Sequence, residues 1–230
     1  MKEFVLVAHG APSDPEAPDA WLKALAERVS AYAPDCLLRG ATLAKPGSLE
    51  AALTGLRAPT IYPFFMAEGW FTREELPRRL AALGVAAPIL SPFGTDPDLP
   101  ALIADVTTTA AKSAGIEPDS IDLLLAAHGS RRAHRSKDSA HAMAERLRRI
   151  TPFATIRVGL IEEPPFLEEV AAQSPQALCL PFFALRAGHV VGDIPEALAK
   201  AGFRGLLLPA IGEHAQVPQM IARALQRAEV

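Results

Sequence analysis

The sequence predicts an α/β protein built of two tandem, duplicated parallel-sheet domains. Short runs rich in Val, Ile, Leu and Phe alternate with amphipathic stretches, a pattern typical of strands buried between helices in a parallel sheet. The alternation passes through four strand–helix pairs and then repeats within 230 residues. Because 50% of the residues are hydrophobic and 21% are charged, the chain can bury a sizeable core and is too apolar to be disordered.

Strands are predicted where apolar, β-branched runs are bounded by turn-forming residues, and helices where the apolar residues recur at helical spacing. The predicted strands are 4–8, 36–43, 60–65, 88–91, 121–127, 154–160, 177–183 and 205–208. The predicted helices are 17–32, 49–56, 77–83, 99–112, 137–150, 166–173, 194–201 and 217–228.

Matching motifs occur in the same order in the two halves and indicate a duplication. The segment FVLVAHG around His9 recurs as LLLAAHG around His128, 119 positions later (9 to 128). Further matches follow at 118 positions, which are PFF at 63–65 and 181–183, Pro77 and Pro195, Gly94 and Gly212, and Pro100 and Pro218. Five matches in one order, with the spacing drifting by a single residue, are difficult to produce by chance.

Residues 113–120 have the Gly, Pro and Ser content of a linker, so the predicted domains are 1–116 and 117–230. We expect the two domains to face each other across a cleft. In parallel sheets ligands collect at the carboxyl ends of the strands. His9, His128 and the residues that follow Phe65 and Phe183 all fall at such ends.

Charge and composition exclude several partners. A formal net charge of -3 and a pI near 6.1 give no general attraction to nucleic acid or to an anionic membrane. No apolar run approaches the ~20 residues that span a bilayer, and the apolar start is too short for a signal peptide. We therefore expect a cytoplasmic protein, with monomer and homodimer both open. Cys36 and Cys179 lie in apolar strands outside any CxxC motif, which predicts reduced core residues.

Two histidines of the second half are the strongest candidates for chemistry. His128 ends the first predicted strand of that half, and His189 follows the third. First and third strands are commonly neighbours in an open parallel sheet, so both rings are expected over one cleft. Neutral imidazoles bind borderline divalent metals and exchange protons near neutral pH. Glu162 or Glu163, at the end of the second strand, could complete a two-histidine, one-carboxylate set; the alternative is a solvated charge beginning the next helix, which is favoured for Glu163.

The first half lacks this set of ligands. His9 is present, but Phe71 stands opposite His189, and alanine and lysine stand opposite the two glutamates. A metal site in the first half would therefore be short of ligands. Trp70 and Phe71 are interpreted either as an apolar wall for a flat ligand or as ordinary core packing.

A local basic patch follows His128 and includes Arg131, Arg132 and Lys137. Arginines at the start of a helix oppose its macrodipole, so they are expected either to hold carboxylates of a ligand or to form a solvated face. Arg186, close to His189 in the chain, could add to the patch. The other histidines outside the first half are His134 and His141, predicted to be surface residues, and His214, an outside candidate for the cleft.

At these residues the sequence resembles the class II chelatases, in particular the CbiX and SirB group of sirohydrochlorin chelatases. The resemblance covers nearly the whole chain. It rests on the two His-Gly strand ends, on the HGSR motif that begins at His128, and on the run PFF…GH…DIP between Pro181 and Pro195. It implies a chelatase-like fold and the insertion of cobalt, iron or nickel into a carboxylate-rich tetrapyrrole, in cobalamin or siroheme biosynthesis.

The resemblance also implies roles for individual residues, and a single C-terminal site because Phe71 departs from the family pattern. No organic cofactor is implied, and the divalent metal, Co²⁺ or Fe²⁺, is a substrate. The implied catalytic residues are His128, His189 and Glu162, and the implied metal ligands are His128 and His189. For the substrate, the hypothesis is that its acid groups are held by Arg131, Arg132 and Arg186 and that His9 also contacts it.

Two other functions are compatible with parts of the sequence. A non-catalytic tetrapyrrole- or metal-binding carrier would keep the cleft without turnover. A hydrolase using Ser130 beside His128 is disfavoured because the chain has no G-x-S-x-G motif. The sequence also has no G-x-G-x-x-G motif and no Walker A loop, so nucleotide use has no support.

Overall fold

The computed structural model describes residues 1–129 and 135–228, and it divides them into two compact units. The first unit consists of Met1–Asp96 together with the C-terminal segment that begins at Ala215. The second unit is the continuous segment Pro97–His214. Each unit is a parallel sheet with helices packed on it, as the sequence predicts.

Strands and helices alternate along the described chain. The strands are β1 (Lys2–Ala8), β2 (Cys36–Thr42), β3 (Pro59–Pro63), β4 (Leu123–Ala127), β5 (Ile156–Leu160), β6 (Leu178–Pro181) and β7 (Leu206–Leu207). The α-helices are α1 (Glu16–Ser30), α2 (Ser48–Leu53), α3 (Leu76–Ala82), α4 (Leu99–Ser113), α5 (Arg135–Ile150), α6 (Leu167–Gln173), α7 (Ile194–Lys200) and α8 (Val217–Arg227).

Both sheets place the first strand of each half in the middle. The sheet of the first unit has the order β2-β1-β3, and that of the second unit has the order β5-β4-β6-β7, with every pairing parallel. The central strands β1 and β4 are buried along almost their whole length, which explains their uninterrupted apolar sequences. The predicted neighbourhood of first and third strands is therefore present in both sheets.

The fourth predicted strand of each half is absent or much shorter than predicted. Residues 88–91 form no strand, and only Ile89 makes an isolated bridge, to Ile61. In the second unit the predicted strand 205–208 shortens to β7, a strand of 2 residues. Pro88 has no amide hydrogen for a ladder, so the pairing of the segment 88–91 cannot extend towards its start.

The two halves also share a turn that the sequence analysis did not predict. A π-helical turn covers Phe71–Glu75 in the first unit and His189–Asp193 in the second, 118 positions later (71 to 189). Each leads directly into the next α-helix, α3 or α7. Such widened turns are rare and are frequently found at functional sites.

The compact units differ from the predicted domains 1–116 and 117–230 by an exchange of helices. Helix α4 belongs to the second unit, where it contacts α5 and β6, and α8 belongs to the first unit, where it contacts α1. The predicted boundary marks the end of a sequence repeat. The fold divides the chain at Asp96 and at His214 instead, because each terminal helix packs on elements of the other repeat.

The buried cores of the two units correspond residue by residue, as expected of a duplication. Each core includes inward-facing residues of the central strand, of the third strand and of the helix after the π-helical turn. The corresponding pairs are Val5 and Leu124, Val7 and Ala126, Ile61 and Cys179, Leu76 and Ile194, and Leu80 and Leu198.

Both cysteines are free thiols. Cys179 is completely buried in β6, and burial raises its pKa to about 12, so the thiol stays protonated at neutral pH. Cys36 is half-buried at the start of β2, and its pKa is also raised by burial. Among the described residues, none of the helices combines the length and hydropathy that crossing a bilayer requires.

A buried carboxylate ties together three elements of the first unit. Asp19 of α1 accepts hydrogen bonds from the Thr42 amide (3.1 Å) and from the Ser48 hydroxyl, and its other oxygen contacts Lys23 Nζ at 2.8 Å. Burial alone would raise the pKa of Asp19, but the hydrogen bonds from Lys23, Ser48 and Thr42 lower it from 3.8 to about 2. The carboxylate is therefore charged in the folded protein at all but strongly acidic pH.

Replacement Asp19→Asn is expected to lower the free energy of unfolding at pH 7 by about 2 kcal/mol. This is the free energy that corresponds to the lowering of the Asp19 pKa on folding. Because the folded pKa is depressed, this stability is present above pH 3.8 and is lost as the pH falls towards about 2. Urea unfolding at several pH values would show a smaller loss of stability over that interval in the variant. Asp14→Asn, at an exposed carboxylate, is the control. Equal pH profiles for wild type and Asp19→Asn would contradict the assignment.

Candidate active site

The candidate site lies at the carboxyl ends of β4 and β6 in the second unit. The two strands are paired in register, from Leu123 opposite Leu178 to Ala126 opposite Pro181. His128 follows β4 directly, and the loop after β6 leads to the π-helical turn that begins with His189. The strand order reverses at β4, and such a switch point is where ligands bind in open parallel sheets.

The rings of His128 and His189 are in contact. Their centroids are 4.5 Å apart, and the ring planes are at 88° to each other. With a metal–nitrogen bond of about 2.1 Å, two imidazoles that share one ion have centroids no more than about 6.5 Å apart. The observed separation is within that limit and is therefore compatible with one ion between the two rings.

Each imidazole is held by a hydrogen bond at its Nδ1 atom. In His128, Nδ1 is 2.6 Å from the carbonyl oxygen of Gly129, and in His189 it is 2.6 Å from Oδ2 of Asp193. A carbonyl oxygen only accepts hydrogen bonds, and so does an ionised carboxylate, so Nδ1 carries the proton in both rings. The lone pair available to a metal is then on Nε2.

Phe183 and Gly129 complete the surroundings of the histidine pair. The Phe183 ring lies 6.4 Å from His128 and 6.3 Å from His189, measured between centroids. Gly129 has a φ of 73°, which favours glycine and lets the chain turn immediately after His128. The turn brings the Gly129 carbonyl back to the ring that precedes it.

The two glutamates after β5 occupy different positions. The amide of Glu162 donates to the carbonyl oxygen of His128 at 2.9 Å, which fixes the main chain at this point. The side chain that lies against the turn is that of Glu163, since a Cβ on Gly129 would be 3.0 Å from Glu163 Cγ. In the described part of the chain no three His, Cys, Asp or Glu side chains form a group able to hold a metal. The expected two-histidine, one-carboxylate set is therefore not assembled there.

The basic residues predicted around the site are only partly described. Arg131 and Arg132, like Ser130 and His134, lie outside the described residues. Arg186 is exposed on the loop between β6 and the π-helical turn. Lys137 Nζ donates to the carbonyl oxygen of Pro164 at 2.9 Å and so joins α5 to the loop that carries the glutamates.

The remaining predicted histidines lie on other elements. His141 is half-buried on α5. His214 follows the last 3₁₀ turn of the second unit. Its pKa is lowered by burial, an effect that the nearby carboxylate of Asp105 opposes.

The first unit has the same arrangement of rings with phenylalanine in place of the second histidine. His9 and Phe71 have centroids 4.2 Å apart and ring planes at 75°, and His9 Nδ1 is 2.9 Å from the carbonyl oxygen of Gly10. Trp70 beside Phe71 is 52% exposed, so it is not a core residue. With a single imidazole, this unit lacks a paired metal ligand.

Comparison with known proteins identifies the family to which the chain belongs. The CbiX family model matches residues 122–228, the stretch that contains both His128 and His189. A solved structure of CbiX, described as the terminal enzyme for siroheme biosynthesis in denitrifying bacteria, is 45% identical with a TM-score of 0.91 and covers 100% of both chains. The chain belongs to the CbiX/SirB chelatase family. In this family member, both halves have the chelatase fold.

More distant relatives agree with this assignment. A protein of Halobacterium salinarum, described as a probable sirohydrochlorin cobaltochelatase, is 24% identical over 224 residues, which are 85% of this chain and 76% of that protein. The structure of SirB from Bacillus subtilis with Fe³⁺ is 16% identical with a TM-score of 0.78, and the match covers 98% of this chain and 95% of that one. At that level of identity the likeness shows the shared fold.

Replacing Phe71 by histidine should create a second imidazole pair, because its ring already lies 4.2 Å from His9. In a chain that lacks His128 and His189, Phe71→His is expected to restore Co²⁺ binding measured by calorimetry. The restored affinity should be at least about tenfold below that of the native pair, because the acid four residues later, Glu75, accepts from Arg78 and Arg79 instead of holding the new ring.

The matched control is Phe71→Gln, which introduces polarity at the same position without an imidazole. Co²⁺ binding equal in the Gln and His variants, or absent from both, would contradict the view that this unit lacks only one ring.

Proposed function

We propose that this family member is a metal chelatase that inserts Co²⁺ or Fe²⁺ into sirohydrochlorin or a similar carboxylate-rich tetrapyrrole. The observation that carries the proposal is the contact between His128 and His189 at 4.5 Å, each with Nδ1 already engaged. Two imidazoles that can face one ion with Nε2 suit a reaction in which a divalent metal must be held and then released.

The reaction joins a divalent ion to a macrocycle and releases two pyrrole protons. In the proposed mechanism one or both histidines deliver the ion to the macrocycle, and the Nε2 atom of an imidazole that is free of metal, or has just released it, accepts a pyrrole N–H proton. Water carries the second proton away. The pair is half-buried at the end of the sheet, so part of each ring is accessible to a substrate. The metal is a substrate, and no organic cofactor is needed.

The acid groups of the tetrapyrrole require cationic partners. Arg186 is exposed beside the site and is available for this role, and Arg131 and Arg132 are proposed to share it. His9 of the first unit is proposed to contact substrate, not metal. Glu162, whose amide donates to the His128 carbonyl oxygen, remains a proposed catalytic residue that accepts protons.

A single C-terminal site follows from the ligands that each unit offers. The second unit has two imidazoles in contact, whereas the first has His9 against Phe71. The proposed activity therefore depends on the second unit's histidines. The first unit is proposed to contribute to substrate binding.

Replacement of His128 or His189 by alanine is expected to reduce the rate of metal insertion at least about 100-fold, because a metal ligand and a proton acceptor are lost together. The measurement is an anaerobic absorbance assay with sirohydrochlorin and Co²⁺ or Fe²⁺ in turn, compared with the spontaneous reaction. Circular dichroism should show an unchanged fold.

His141→Ala, on the same unit but on α5, is the control and should retain activity. A double variant of His128 and His189 that is as fast as wild type would refute the proposal. Tetrapyrrole binding by the wild-type protein without any increase in rate would indicate a carrier protein instead.

Replacement Arg186→Ala is expected to raise KM for the tetrapyrrole about two- to fivefold, the contribution of an exposed ion pair. The difference from wild type should shrink at high salt, because exposed charges are screened. Arg204→Ala is the matched control, since Arg204 is an exposed arginine just before β7, at the opposite end of the sheet. Equal changes in KM for both variants would exclude a specific role for Arg186.

A further inference from the structure

We infer that Asp193 is a positioning residue for His189, fixing its orientation and its tautomer for metal binding. This inference rests on the proposed function, in which His189 holds the metal through Nε2. Asp193 Oδ2 lies 2.6 Å from His189 Nδ1, a short distance typical of a charge-assisted hydrogen bond. Histidines that bind metals commonly donate their second ring nitrogen to a carboxylate, which fixes the ring and increases its basicity.

The backbone between the two residues is specialised for this contact. His189 and Asp193 are the first and last residues of the π-helical turn, and the Ile194 amide closes the turn by donating to the His189 carbonyl oxygen. The turn therefore places the side chains of His189 and Asp193, which are 4 positions apart, on the same side of the turn, with the carboxylate against the ring.

Asp193 does not have the usual structural role of its position. It precedes the first residue of α7, where an aspartate often caps a helix, but its side chain makes no capping hydrogen bond and its backbone is already helical. The side chain is 50% exposed. A carboxylate at this point can stabilise α7 only through the helix dipole, a small effect.

The first unit provides an internal comparison in which the partner ring is missing. Where His189 is replaced by Phe71, the counterpart of Asp193 is Glu75, 118 positions earlier (193 to 75). Glu75 is buried, and it accepts hydrogen bonds from Arg78 at 2.9 Å and from Arg79 at 2.7 Å.

The second unit has neither of these arginines. The positions that correspond to Arg78 and Arg79 are Glu196 and Ala197, so Asp193 has no such cation to accept from on α7. In the first unit, which has no second imidazole, Glu75 contacts arginines. In the second unit, Asp193 contacts the imidazole of His189. This difference between repeats links Asp193 to His189, and not to the stability of the turn that both units share.

The inference is tested with Asp193→Ala, Asp193→Asn and His189→Ala, using Co²⁺ alone as the probe. Calorimetric titration should show Co²⁺ affinity about 10- to 100-fold lower in Asp193→Ala, the usual effect of losing a partner behind a ligating histidine. Asp193→Asn, whose amide oxygen can accept from Nδ1–H, should recover most of the affinity. The ring nitrogen shifts of His189, measured by NMR without metal, should show the Nδ1–H tautomer in wild type and in Asp193→Asn, and a mixture in Asp193→Ala.

Glu196→Ala is the matched control, because it removes a carboxylate from the first turn of α7 that pairs with Lys200 at 2.7 Å and not with a histidine. It should leave both the Co²⁺ affinity and the His189 tautomer unchanged. The unfolding midpoints of Asp193→Ala and Glu196→Ala should agree within about 3 °C.

The outcomes separate the two proposals. Wild-type Co²⁺ affinity in His189→Ala would overturn the metal-binding role of the histidine pair, and the inference with it. Loss of affinity in His189→Ala together with wild-type affinity and an unchanged tautomer in Asp193→Ala would overturn the inference alone. Equal losses in Asp193→Ala and Glu196→Ala would likewise overturn it, since charge alone would then explain them.

Discussion

In the second unit β4 and β6 lie side by side, and the site depends on that pairing. The ladder runs from Leu123 opposite Leu178 to Ala126 opposite Pro181, so both strands end at the same edge of the sheet. A slip by one residue would reverse which side chains face the core, so burial of both strands fixes the register. The chain positions after these strands are therefore fixed relative to each other, and residues distant in sequence, His128 and His189, meet.

The duplicated scaffold tolerates different chemistry at the same position. In both units the ring after the third strand contacts the histidine after the first, with centroids 4.2 Å apart in one and 4.5 Å apart in the other. Phenylalanine and histidine are similar in shape at this point, so packing does not distinguish them. What changes is the partner of the acid four residues later, which is a pair of arginines in one unit and an imidazole in the other.

Most of the secondary structure and the juxtaposition of the two histidines could be predicted from the sequence, because both depend on apolar periodicity and on strand ends. The failures have specific causes. The π-helical turns were missed because the predicted helices begin only at 77 and at 194, and a turn of 5 residues is too short to show a helical period. The strand at 88–91 was predicted from apolar content, although Pro88 cannot donate to a ladder.

Other features of the site depend on tertiary geometry that no local pattern contains. Alternation along the chain does not decide whether Glu162 or Glu163 turns its side chain towards Gly129. The spacing of four between His189 and Asp193 was visible in the sequence, but in an ordinary helix it is common between surface residues. The exchange of α4 and α8 between units cannot be predicted from the sequence repeat. The repeat shows which segments correspond to each other, but it does not show which elements each helix packs against.

That exchange has a consequence for the order in which the protein can fold during synthesis. The second unit is a continuous stretch, Pro97–His214, inserted within the chain of the first. The first unit needs α8, which is synthesised after the whole of the second unit. The residues of the first unit that are synthesised first, Met1–Asp96, can therefore complete their packing only after the second unit, which contains the paired imidazoles, has been synthesised.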